Sequence, residues 1–142
     1  MLKHQTVLVV GDDPRLADSL ALVLRRKGLA VRTAHDGMRG YASFFRDPTQ
    51  WVISDIEMPG LDGIEMVRCI RALNPSVKII YMTGAADKYW ASLTEAARRF
   101  GAQLLRKPFS FNQVLEMLAD KGKAQAKSAT AAIAKKSASM TQ

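Results

Sequence analysis

The sequence predicts an α/β protein built on a doubly wound, five-stranded parallel sheet, and three observations carry that prediction. Short apolar runs recur along the chain, each too brief for a buried helix. Stretches with helical spacing lie between them. Capping acids, prolines and glycines fall at the junctions. Repeated strand–helix order of this kind implies parallel strands with helices on both faces.

The clear runs are VLVV at 7–10, WVIS at 51–54, VKIIYM at 77–82 and LL at 104–105, with a weaker alternating run, AVRT, at 30–33. Uninterrupted apolar runs suit strands that are buried on both faces. After the first run, Asp13 stands as an N-cap before Pro14 at the first helical position. Leu16, Leu20, Val23 and Leu24 form the stripe of that helix. Arg25, Arg26 and Lys27 make a basic last turn, and Gly28 closes it. Between the second and third runs no stripe is singled out, so the helix there follows from the repeated order. Ile64, Val67, Ile70 and Leu73 outline the next helix, which Asn74-Pro75 ends. Residues 88–100 carry Leu93, Ala96 and Ala97 and stop at Gly101, and residues 112–118 carry Val114, Leu115 and Leu118.

The 142 residues suit about one domain. A single cysteine, Cys69, excludes an internal disulfide and a multi-cysteine zinc site, which points to a reducing, cytoplasmic setting. Within its amphipathic helix, Cys69 is expected to be a small buried hydrophobe. No apolar run approaches the roughly 18 residues of a membrane span, so no membrane partner is expected. The apolar start is too short for a signal peptide. The net charge of +8 is uneven: residues 121–142 hold five lysines and no acid, leaving +3 for the first 120 residues. The domain is therefore placed at 1–120. Residues 121–142, rich in Ala, Lys and Ser, are expected to be a disordered tail or a linker. Weak nonspecific attraction to nucleic acid is the one binding role that this tail suggests.

In an open parallel sheet, ligands gather beyond the carboxyl ends of the strands. Gly11, Asp12 and Asp13 follow the first run, Asp55 the third, Thr83-Gly84 the fourth, and Arg106, Lys107 and Pro108 the fifth. Clustered carboxylates repel one another unless a hard cation lies among them, and oxygen-only ligation suits magnesium. A nearby lysine and a threonine hydroxyl can hold phosphoryl oxygens. No Gly-rich Walker loop is present, which argues against a tightly held nucleotide. A carboxylate can itself be a nucleophile and form an acyl phosphate, and Asp55 is central enough to do so.

Over about residues 5–120 the chain resembles the receiver domain of bacterial two-component response regulators. The resemblance rests on VLVVGDDP at 7–14, SDIEMPGLDG at 54–63, MTG at 82–84 and RKPF at 106–109. It implies a flavodoxin-like sheet in strand order 2-1-3-4-5. It implies that Asp55 accepts a phosphoryl group from a histidine kinase or histidine phosphotransfer protein. Mg2+ would be held by Asp12, Asp55 and the backbone carbonyl of Glu57, with Asp13 as a further candidate. Thr83 would bond a phosphoryl oxygen and move toward it on activation. Lys107 would pair with the carboxylate, and the Lys107-Pro108 bond would be cis. Phosphorylation would alter the surface of the fourth helix, fifth strand and fifth helix for a downstream protein partner not identified by the sequence, with a homodimer also open. Enzymic content would be limited to self-phosphoryl transfer and slow acyl-phosphate hydrolysis.

Two positions depart from the family pattern. Aligned through Pro14, Gly11 replaces the first of two acids and Asp12 is the second, although a one-residue slip making Asp12-Asp13 the pair stays open. Loss of an acid there should weaken magnesium binding about 10–100-fold, with Asp13 or the Glu57 side chain as compensators. Leu104 stands where the family often has the Tyr or Phe of a rotamer switch. These departures motivate an alternative: a pseudo-receiver that binds partners without phosphorylation. Asp36 and Asp62 are expected to cap or be solvated, and His4 and His35 to have surface or packing roles. In Tyr89-Trp90, core packing of one ring is expected, while an exposed ring would lie near the receiver partner face.

Overall fold

Five parallel strands, β1 (Thr6–Val10), β2 (Ala30–Ala34), β3 (Trp51–Asp55), β4 (Lys78–Thr83) and β5 (Gln103–Arg106), form one sheet in the order β2-β1-β3-β4-β5. The computed structural model describes residues 4–84 and 86–119. The described residues fall into two units, one ending at Phe109 and the other beginning at Ser110. The first unit contains the whole sheet and helices α1 (Pro14–Arg26), α2 (Gly37–Arg46), α3 (Gly63–Leu73) and α4 (Ala86–Phe100). In the second, helix α5 covers 111–119. Ser110 caps it reciprocally: its Oγ accepts from the Gln113 N–H at 3.2 Å, and its own N–H donates to Gln113 Oε1 at 2.9 Å. The basic segment 121–142 lies outside the described residues.

The two sides of the sheet follow from the period-2 alternation of strand side chains. Leu8, Val10, Val52, Ile79 and Tyr81 join Phe44 of α2 and Met66, Val67 and Ile70 of α3 in one buried cluster. Val7, Val9, Ile53, Ile80 and Met82 alternate with them and are equally buried. The α1 side chains Ala17, Leu20, Ala21 and Leu24 are buried outside that cluster, which places α1 on the other face. Leu16 and Val23 lie at the edge of the α1 stripe and are only half-buried.

Helix α2, expected only from the repeated order, does carry an apolar side: Phe44 is buried and Tyr41 packs against the same cluster. A Cβ on Gly37 would lie 2.1 Å from the Leu61 carbonyl oxygen, and one on Gly40 would lie 2.7 Å from Met66 Sδ. The close approach of α2 to its neighbours thus requires glycines, which lower its intrinsic helix propensity. Cys69 corrects an expectation: it is exposed. It falls on the solvent side of α3, beside exposed Arg68, while Met66, Val67 and Ile70 take the core side. Among the described residues, no helix is long and apolar enough to cross a membrane.

Candidate functional site

Each strand-end residue is delivered by a local device. At the end of β1, the Gly11 N–H donates to the Ala34 carbonyl at 3.0 Å, extending the ladder one residue beyond the strand. Asp12 follows and is exposed. Asp13 caps α1, its Oδ1 accepting from the Arg15 N–H at 3.1 Å. The N-cap expected of Asp13 is thus formed. Asp36 and Asp62 cap α2 and α3 in the same way, accepting from the N–H groups of Arg39 at 2.7 Å and Glu65 at 2.8 Å.

Asp55 ends β3 with only 3% of its surface exposed. The loop after it folds back tightly: the Gly63 N–H donates to the Ile56 carbonyl at 2.8 Å. A Cβ on Gly63 would lie 2.0 Å from the Asp55 carbonyl oxygen. The glycine of the LDG sequence therefore lets α3 start directly against the backbone of the proposed acceptor. In the sequence this glycine is marked only by the DG pair, Asp62-Gly63, before the apolar stripe of α3.

Thr83 ends β4, also 3% exposed, and its Oγ1 is buried without a hydrogen-bond partner. The Lys107 N–H donates to the Thr83 carbonyl at 2.8 Å, which fixes the start of the loop after β5. Lys107-Pro108 is cis, as expected. The Lys107 side chain returns over the sheet edge, and its Nζ lies 2.6 Å from Asp55 Oδ1. The contact is an ion pair rather than a well-directed hydrogen bond, so Oδ1 retains capacity for another partner.

Burial pushes the Asp55 carboxyl above its ordinary range. The Lys107 ammonium pulls it back, the Asp12 charge adds to the rise, and the Asp12 backbone N–H opposes it. Asp12 and Asp55 are thus close enough to feel one another. Above them opens a cavity of about 320 Å³ lined by Asp55, Glu57, Met82, Thr83, Gly84 and Lys107. Glu57 also lines a neighbouring groove with Ile56, Met58, Pro59 and Asp62. The structure brings Asp55, Thr83, Lys107 and Glu57 to one cavity, sets Asp12 at its flank, and commits Asp13 to the helix start.

Among the described residues, no three His, Cys, Asp or Glu side chains are grouped to hold a metal. A cation here would take the carboxylates of Asp12 and Asp55, the Glu57 carbonyl and water. That all-oxygen, water-rich set suits Mg2+, which retains several waters when protein-bound. His4 and His35 lie away from these residues in sequence, and His35 Nε2 meets Asp18 Oδ1 at 3.1 Å.

A five-stranded parallel sheet in the order 2-1-3-4-5, with carboxylates, a threonine hydroxyl and a lysine at its carboxyl edge, defines a flavodoxin-like α/β domain with a polar site at its strand ends. Residues 7–119 match the response regulator receiver domain, and the chain belongs to that family. It is similar to the probable transcriptional regulatory protein TcrX of Mycobacterium tuberculosis, at 32% identity over 78% of this chain and 46% of that protein. It is also similar to the response regulator receiver protein CpdR of Brucella abortus, at 30% identity over 79% of this chain and 95% of that protein. Against DctD of Pseudomonas aeruginosa and YesN of Bacillus subtilis it spans 23% and 31% of their lengths. Among solved structures, a CheY-like receiver domain from Methanospirillum hungatei superposes with a TM-score of 0.76 at 27% identity, covering 89% of this chain and 99% of that one. The chemotaxis protein CheY4 of Vibrio cholerae gives 0.74 at 26% identity, covering 82% and 97%. The sheet order and the five helices agree with these neighbours.

Proposed function

We propose that the chain is a phosphorylation-controlled switch in which Asp55 accepts a phosphoryl group from a phosphohistidine of a kinase or phosphotransfer protein. The observation that carries this reading is the buried Asp55 carboxylate, paired with Lys107 at 2.6 Å beside the unpartnered Thr83 hydroxyl, at the floor of a cavity. An Asp55 carboxylate oxygen attacks phosphorus, the P–N bond breaks, and the imidazole leaves with the bonding pair. Lys107 offsets the negative charge, and the Thr83 hydroxyl donates to a phosphoryl oxygen. When bound by Asp12, Asp55 and the Glu57 carbonyl, Mg2+ supplies neutralisation of phosphoryl charge. Beyond this transfer and the slow hydrolysis of the acyl phosphate by water, the domain has no catalytic role.

The phosphoryl group adds about −1.5 to −2 charge at the end of β3. Its effect on Thr83 biases the adjoining α4 and β5 surface, which a downstream protein reads. Gly11 and Leu104 support a second reading, a partner-binding module that works without phosphorylation. Intact mass spectrometry after incubation with acetyl phosphate and Mg2+ separates the two. A single phosphoryl adduct, absent in Asp55→Asn and in metal-free buffer, is the expected result. No adduct, with a known receiver modified alongside and a histidine phosphodonor equally ineffective, would establish the second reading.

A further inference from the structure

Gly11 ends β1 against the proposed acceptor. A Cβ at this position would lie 2.8 Å from Asp55 Oδ2 and 3.5 Å from its Cγ. Side-chain carbons do not approach a carboxylate oxygen that closely, so with any other residue at 11 the Asp55 carboxylate would have to shift from the position it holds here. Its two oxygens are divided in consequence. Oδ1 meets Lys107, and Oδ2 rests against the end of β1, where the Asp12 backbone N–H also acts on the carboxylate. The unphosphorylated carboxylate is thereby provided for by groups of the protein itself.

Charge points the same way. Asp12, Asp55 and Lys107 sum to a single negative charge, because one of the two carboxylates already has an ammonium beside it. Asp13 faces the start of α1. Glu57 is exposed and contributes only at the cavity mouth. An acid at 11 would double the net negative charge and displace Oδ2 from the β1 backbone. A hard divalent cation competes poorly for a carboxylate held on both sides in a pocket of such low net charge.

We propose that Gly11 makes divalent-cation binding in this pocket depend on the phosphoryl group, whose oxygens supply the negative charge that a side chain at 11 does not. Gly11 acts as a positioning residue, through Asp55. The cation then arrives with the phosphodonor or after it, and the resting pocket holds none at ordinary concentrations. This inference rests on Asp55 being the acceptor, and the experiment distinguishes the two.

Mg2+ is titrated calorimetrically onto the full chain, with and without beryllofluoride as the phosphoryl mimic, for the wild type, Gly11→Asp and Gly11→Ala. Without the mimic, Gly11→Asp should bind Mg2+ about tenfold tighter than the wild type or more, whereas Gly11→Ala, which adds volume without charge, should not gain. With the mimic, the gap between Gly11→Asp and the wild type should close. Equal affinities without the mimic, or a gap that the mimic leaves unchanged, would overturn the proposal. Should Gly11→Asp fail to fold, the wild type alone decides: Mg2+ binding unaffected by beryllofluoride overturns it. Intact mass run in parallel assigns any failure. A phosphoryl adduct with an unchanged gap sinks this inference alone, and no adduct at saturating Mg2+ sinks the acceptor reading with it.

Discussion

Lys107 Nζ and Asp55 Oδ1 lie 2.6 Å apart although their strands are not neighbours, since β4 runs between β3 and β5. The ammonium spans the end of β4, so one ion pair ties the end of β3 to the residue that follows β5. Lys107 is the only part of the pair that reaches solvent appreciably, with Asp55 fully covered. Lys107→Ala should therefore leave a buried acceptor unpaired and cost about 1–3 kcal/mol at neutral pH. Urea unfolding measures the loss. The same variant should accept less phosphate from a small phosphodonor, and wild-type stability together with wild-type labelling would show that the pair does neither job.

The Asp55 carboxyl sets a pH dependence of its own. Burial is the largest influence and raises it above 3.8, the Lys107 ammonium offsets part of the rise, and the Asp12 charge adds to it. The folded chain thus keeps this proton to a higher pH than the unfolded chain does. Between those two values folding takes up a proton, so the stability contributed by the protonated carboxyl is present below 3.8 and lost as pH rises through the folded value. Asp55→Asn removes that penalty. The variant should melt higher than the wild type at pH 7, and the advantage should shrink on acidification. A melting temperature at pH 7 below that of the wild type would mean that the Lys107 attraction outweighs burial.

Gly63 tests how the backbone positions the acceptor. Its missing Cβ would meet the Asp55 carbonyl oxygen at 2.0 Å, and a backbone atom cannot swing aside as a side chain can. Gly63→Ala should cost about 1–3 kcal/mol, the usual range for overpacking. It should also slow labelling of Asp55 by displacing the end of β3. Gly60→Ala is the contrast: its Cβ would meet nothing within 4 Å, but its φ of +77° makes alanine unfavourable for a different reason. Equal labelling rates for the Gly63 variant and the wild type would detach the packing contact from the chemistry.

The strands were legible because both sheet faces are covered, and VLVV and WVI are apolar on both sides for that reason. Their ends were not. Thr6, Asp55, Thr83 and Arg106 continue the ladders in register but carry polar side chains, and backbone pairing does not depend on side-chain polarity. Helix α2 was legible only from the repeated order, because Gly37 and Gly40, which its tight packing demands, lower its helix propensity. Cys69 was misjudged because apolar character alone does not say which side of a helix a residue takes. At the site, strand-end position was enough to gather Asp12, Asp55, Thr83 and Lys107. The proximity of Gly11 to Oδ2 was not legible, since it depends on side-chain rotation and on the path of the backbone after β1.

Neither was the contact between Arg106 and Trp90, whose consequences can be tested directly. Thr83 and Arg106 are register partners on β4 and β5, so their side chains leave the same face of the sheet. The Arg106 guanidinium lies 4.4 Å from the centre of the Trp90 ring on α4. Such a stack at a partly exposed site is worth about 0.5–1 kcal/mol, small enough to break and re-form. With Leu104 in place of a switch aromatic, this contact is a link from the neighbour of Thr83 to α4. If the proposed switch operates, Trp90 emission should change when the chain is phosphorylated or given beryllofluoride and Mg2+, because a shift of Thr83 would pass to its strand partner. Trp51, 1% exposed at the opposite end of the sheet, should contribute a constant background that Trp90→Phe isolates. Arg106→Ala should shift the resting emission and shrink the response. An unchanged response in Arg106→Ala would show that the stack of Arg106 on Trp90 does not carry the signal.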